Sequence, residues 1–277
     1  MHRSGTSLVA SALRAAGIDV GSDLLGADEG NPRGHFEDRD FVRLHEEMLV
    51  TTGATWLTGT PARPSDVRPD LVARAQSLVA ARSELDQWGW KDPRTLLFLD
   101  LWDALLPEPR YLFVYRHPVD VVLSLARRGT ELRATPWLFL RSWITHNRAL
   151  LRFVERHPGR CYVAAVPDLT SDLEGFVQSV AAKLGLALRP KGISRLFHTE
   201  ELSPSAVEPA AGWERLMPDA VALYRALDAL ADLPASEDDA RRSRRPYTLD
   251  GLRCRAAVAQ LRLDLRRADA SSISASR

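Results

Sequence analysis

Met1-His2-Arg3-Ser4-Gly5-Thr6-Ser7-Leu8-Val9-Ala10-Ser11-Ala12-Leu13 is the stretch whose reading decides the fold. An Arg-Ser-Gly-Thr-Ser cluster runs directly into an apolar, helix-favouring segment that stops at Gly17. Small and hydroxyl residues at such a place let backbone N–H groups approach an anion closely. The helix that follows directs its partially positive end at the same point. Arg3 adds a full charge, and Thr6 and Ser7 add hydroxyl donors. One reading is a P-loop-like phosphate cradle built from Arg3, Ser4, Gly5, Thr6 and Ser7. The other is an ordinary Ser/Thr N-cap, and this stretch alone does not choose between them. The standard nucleoside-triphosphate loop does not fit: its first Gly is absent, and Thr6 stands after Gly5 where that loop has Lys.

Working outward, 277 residues with 45% hydrophobic and 26% charged content suffice for one α/β domain with a small appendage. A net charge of +1 argues against a general nucleic-acid binder. Two cysteines, Cys161 and Cys254, provide neither a disulfide framework nor a metal cluster, and Cys161 reads as core. No metal site is expected. No stretch reads as a membrane span or a signal peptide, which makes the cytoplasm the default compartment. Only Lys91, Lys183 and Lys191 are lysines in an arginine-rich chain, so a lysine inside a polar motif stands out.

Hydrophobic periodicity and breaker residues predict helices over residues 6–16, 41–50, from Pro69 to about 85, 119–128, 135–156 and 168–184. A further helix follows Pro93. Residues 51–68 read as an irregular surface excursion, and residues 88–94 as a short strand ending in a polar turn. Continuous apolar runs over 110–115 and 160–166 read as buried parallel strands. Strands alternating with helices predict a doubly wound parallel sheet over residues 1–234. A charged linker is expected over 235–248. Beyond it, residues 249–277 read as an arginine-rich helix and then a disordered end.

A second polar constellation sits in mid-chain. Arg116 ends the best strand, at the edge where open α/β sheets take ligands, and Ser124 lies about two turns into the next helix. Arginine supplies bidentate, charge-assisted bonds and serine a directional one, so the two can grip one phosphate from two sides. With the opening cradle, they describe a ligand carrying phosphate groups at two separated places.

Met-His-Arg-Ser-Gly-Thr-Ser and Tyr-Arg-His-Pro-Val-Asp-Val-Val-Leu-Ser resemble the two signature motifs of the sulfotransferase family, which uses 3′-phosphoadenosine 5′-phosphosulfate (PAPS). The resemblance implies that Arg3 to Ser7 hold the 5′-phosphosulfate and that Arg116 and Ser124 hold the 3′-phosphate. Trp90-Lys91-Asp92-Pro93-Arg94 and Gly34-His35-Phe36-Glu37-Asp38 also resemble segments of bacterial members. Two departures stand out. The family's acidic segment after a late strand is reduced here to Asp168-Leu169, and the family's first motif follows a central strand. Met1 is therefore expected to be an internal methionine, with that strand missing from the chain and a sheet edge left open.

Sulfuryl transfer needs an acceptor hydroxyl or amine in line with sulfur, a base for its proton, and positive charge where the leaving oxygen becomes negative. Arg3 and Lys91 are the candidates for the charge, Glu37 is the candidate base and His35 the second choice. Asp38 and Asp40 read as helix-start acids. Trp102, Trp137 and Trp143 read as core, whereas Trp56 and Trp213 are candidates for acceptor contact. By family analogy the acceptor is a glycan or glycolipid. Two other readings stay open: a nucleotide-dependent kinase with an unusual loop, and an inactive binding protein on the same fold.

Overall fold

The computed structural model describes residues 1–27, 34–128, 136–169, 172–193 and 217–233. The expected linker over 235–248, the tail over 249–277 and Trp213 lie outside these residues.

Helix α1 (Thr6–Ala15) buries Val9, Ala10 and Ala12 and ends at Gly17, whose φ of 113° suits a residue without a Cβ. There Gly17 N–H donates to the Arg14 carbonyl and Ile18 N–H to that of Leu13, closing the helix end. Next come α2 (Arg39–Thr51), α3 (Pro69–Ala80), a short 3-10 helix (Pro93–Leu97) and α4 (Leu99–Leu105). Strand β1 (Tyr111–Tyr115) leads into α5 (Pro118–Arg128) and α6 (Pro136–Arg156). Strand β2 (Cys161–Ala165) is followed by α7 (Val166–Leu169), α8 (Leu173–Leu184) and α9 (Pro218–Leu230).

The strands pair in parallel, with Tyr111 opposite Cys161 and Tyr115 opposite Ala165. Because side chains alternate along a strand, the two faces sort cleanly. Phe113, Tyr115, Val163 and Ala165 pack with Val121 of α5, Trp143 of α6 and Leu223 of α9. Val114, Tyr162 and Ala164 pack with Val9 of α1, Leu169 of α7 and Phe176 of α8. Helices therefore cover the sheet on both sides, which explains the unbroken apolar strands. Outside β2, Leu233 accepts from Ala165 N–H at 2.8 Å and forms a parallel bridge with Ala164. A third cluster joins α2, α3 and α4 through Phe41, Leu44, Leu71 and Trp102.

Along the other edge of β1 no strand pairs among the described residues. A cavity of about 630 Å³ lies there, walled by Leu112 and Val114 of β1, Val9 and Leu13 of α1, Trp88 and Trp90, and it reaches Met1.

Two details depart from expectation. The helix predicted over 168–184 is broken: α7 ends at Leu169, and α8 begins afresh with Asp172 capping Gly175 N–H at 2.8 Å. Trp88 forms an isolated parallel bridge with Asp19 and no strand; Gln87 and Gly89 close the only backbone pair before the chain enters the turn at Asp92. The segment 51–68 is irregular and largely exposed, as expected, and is tied back to the molecule where Leu57 is buried and Ala62 N–H reaches the Leu97 carbonyl at 2.8 Å.

Candidate active site

The opening loop lies across the carboxyl ends of both strands. Arg3 and Gly5 have left-handed backbones, with φ of 62° and 72°. A Cβ on Gly5 would stand 2.7 Å from Cγ1 of Val166, so glycine alone lets the loop lie against the residue that follows β2. Gly5 is itself the N-cap of α1, and no side chain caps the helix. The first-turn N–H groups are thus not taken by a Ser or Thr hydroxyl, which decides against the N-cap reading. Ser4 is buried, and Thr6 and Ser7 open α1.

Arg116 follows β1 directly. Its carbonyl accepts from Trp143 Nε1 at 3.1 Å, and its Nε lies 3.5 Å from Oδ2 of Asp120. Arg3 Nε donates to Ser124 Oγ on α5 at 2.9 Å. The opening loop is therefore in direct contact with α5, the helix that follows β1. Arg3 of the first proposed grip and Ser124 of the second are hydrogen-bonded neighbours there.

The other candidates come in from the helical layer. Residues 34–38 are held by Leu25, whose N–H donates to the Glu37 carbonyl and whose carbonyl accepts from His35 N–H. Asp38 then caps α2, accepting from Asp40 N–H at 2.9 Å, and pairs with Arg82 at 2.6 Å, so it is a helix-start acid as expected. Lys91 reaches the same place from the turn after Trp90. Its Nζ donates to Oε1 of Glu37 at 2.5 Å and to Ser7 Oγ at 3.2 Å. Ser7 Oγ donates in turn to the His35 carbonyl at 3.2 Å. Among the described residues, Glu37 Oε2 is buried without a hydrogen-bond partner, and His35 Nδ1 stands 3.8 Å from it.

Burial works against both charges of this pair. It raises the Glu37 pKa, opposed by the attraction of Lys91, and it lowers the Lys91 pKa, opposed by Glu37. The site thus holds a carboxylate with raised basicity beside a cation that touches the cradle. Among the described residues, no group of three or more His, Cys, Asp or Glu side chains is placed to hold a metal ion.

Residues 1–190 match the family model described as the sulfotransferase family. The chain belongs to that family. No curated protein and no solved structure matches it. The matched span contains every candidate site residue named above, and α9 lies beyond it.

Trp102 and Trp143 are core, and Trp137 packs against it. Trp56 is half-buried with its ring 4.4 Å from that of His2. The sequence reading missed the buried partners behind Lys91. Asp92 Oδ2 lies 2.9 Å from His45 Nδ1, and Trp102 Nε1 donates to His45 Nε2 at 2.9 Å. The available signal was the spacing of His45 four residues from Phe41 and Leu49, on the apolar face of α2. Among the described residues, no helix is long and apolar enough to cross a membrane.

Proposed function

We propose that this sulfotransferase moves a sulfuryl group from PAPS to a hydroxyl or amine of an acceptor. What supports the donor is the donor set: a guanidinium and the N-terminus of α1 in the opening loop, and Arg116 with Ser124 after β1. These fit a nucleotide phosphorylated at both ends. When bound, PAPS would supply the activated sulfuryl group, with a phosphate as its leaving side. Arg3, Ser4, Gly5, Thr6 and Ser7 would hold the 5′ side, and Arg116 and Ser124 the 3′-phosphate.

Glu37 is the proposed base, and one observation carries that role: its Oε2 is buried beside the cradle with its proton-accepting capacity unused. A carboxylate whose pKa is raised takes a hydroxyl proton more readily than an ordinary one. Lys91, already bonded to Ser7 of the cradle, is placed to neutralise charge on the departing oxygen. His35, 3.8 Å from Oε2, would orient the base or share its proton. The acceptor is proposed to bear carbohydrate, with Trp56 as a stacking surface.

Transfer of radiolabelled sulfate from PAPS to a panel of glycans and glycolipids tests the reading. Glu37→Gln should bind adenosine 3′,5′-bisphosphate as the wild type does and fail to transfer. Phosphate transfer from ATP in the same assay would favour a kinase instead. Bisphosphate binding without transfer to any acceptor would favour a binding protein.

A further inference from the structure

Behind Lys91 lies a chain of buried groups with one consistent hydrogen-bond direction. The Trp102 indole can only donate, so His45 Nε2 accepts and the ring proton sits on Nδ1. Nδ1–H then donates to Asp92 Oδ2. The other oxygen of Asp92 accepts from Arg94 N–H at 2.9 Å and from the Arg94 guanidinium at 3.0 Å, which starts the 3-10 helix after Lys91. Burial alone would raise the Asp92 pKa; the His45 hydrogen bond and Arg94 override it and hold the carboxyl below its usual range. His45 is fully buried, its ring stacked on Phe98 and edge-on to Trp102.

The position of His45 gives the network its meaning. Glu37 is fixed by the N-cap of α2, because Asp38 is that cap. His45 is on the same helix and ties it to Asp92, the residue after Lys91. Both halves of the Glu37–Lys91 pair are therefore keyed to α2, one by its cap and one by its imidazole. We propose that His45 is a positioning residue for transfer: through Asp92 it sets where Lys91 stands against Glu37 and Ser7. This inference rests on the proposed roles of Lys91 and Glu37.

Two near-isosteric variants separate positioning from packing. An Asn amide sits at the depth of Nδ1 and can still donate to Asp92, whereas a Gln amide sits at the depth of Nε2 and cannot. His45→Asn should keep kcat close to wild type. His45→Gln, with bisphosphate affinity and circular dichroism unchanged, should lose about 10- to 100-fold in kcat, the scale of a small misplacement of a reacting group.

A second readout needs no acceptor. With three lysines in the chain, acetylation of Lys91 is read directly by peptide mapping. Its rate should rise in His45→Gln, where the amine escapes the buried pair, and stay low in His45→Asn. If the His45 variants do not fold, Asp92→Ala removes the acceptor from the other end and should raise Lys91 acetylation likewise. Equal effects of Asn and Gln in folded proteins, or unchanged Lys91 acetylation in His45→Gln, would overturn the proposal. Acetylation that follows the prediction in a protein transferring no sulfate would overturn the functional reading and leave the positioning role standing.

Discussion

At the scale of single residues, Glu37 and Lys91 share one low-dielectric place with opposite consequences. Their attraction favours the charged forms, burial favours the neutral ones, and burial prevails for both. The proposed mechanism uses the carboxylate of Glu37 and the ammonium of Lys91. Activity should therefore rise with pH through a Glu37 pKa above its ordinary 4.5 and fall through a Lys91 pKa below its ordinary 10.5. The kcat/KM profile is expected to be a bell narrower than those two values define. Lys91→Arg, whose side chain stays charged at all relevant pH, should remove the descending limb while lowering the maximum. A descending limb that survives in that variant would assign it to another group. The candidate residues Arg3, Arg116, Ser124, Glu37 and Lys91 could be named from the sequence because a local motif carries each of them. His45 and Asp92 could not, because they are 47 positions apart and their pairing is made by the packing of α2 on the turn.

At the scale of elements, one tight joint is Gly5 against α7. Gly5→Ala places a Cβ 2.7 Å from Val166 Cγ1 and asks a non-glycine residue to adopt a φ of 72°. The left-handed backbone alone costs about 1–2 kcal/mol, and the clash adds to it. Chemical denaturation should show that loss, with nucleotide binding weakened as well because the cradle must shift. Adding Val166→Ala should recover the steric part and not the backbone part, so the double-mutant cycle should show favourable coupling. Additive effects would mean that the loop does not press on α7. The elements were legible where periodicity was strong: β1 and β2 as continuous apolar runs, α1, α2, α5 and α6 within a few residues of their ends. The break before α8 escaped because Asp172 looks like a helical residue until its carboxylate is seen capping Gly175. Residues 88–94 have strand-like composition, but a strand needs partners along its length, and Trp88 has only Asp19.

At the scale of the whole molecule, helices cover the sheet on two faces while one edge of β1 borders a cavity of about 630 Å³. Unpaired strand edges and apolar voids both cost stability. Met1 is buried and lines this cavity. An extension of five alternating Val and Thr residues fused ahead of Met1 should pair with β1 and fill the void. The melting midpoint should rise by about 2–4 °C for each kcal/mol gained. The same extension interrupted by proline, which cannot continue a ladder, should give no rise. Equal midpoints for the two would show that the edge does not accept a strand. The α/β class followed from the sequence because alternation of strand and helix is local; the number of paired strands did not, because pairing is a property of the assembled layers.

The two strand-end turns come together at this level, and the central claim is that they hold opposite ends of one nucleotide. Calorimetric titration with adenosine 3′,5′-bisphosphate and with adenosine 5′-monophosphate, for the wild type and Arg116→Ala, tests it most directly. The wild type should prefer the bisphosphate. Arg116→Ala should weaken the bisphosphate by about 1.5–3 kcal/mol, the range for a hydrogen bond to a charged group, and leave the monophosphate unchanged. Equal bisphosphate affinity in wild type and variant, or no preference for the second phosphate in the wild type, would contradict it.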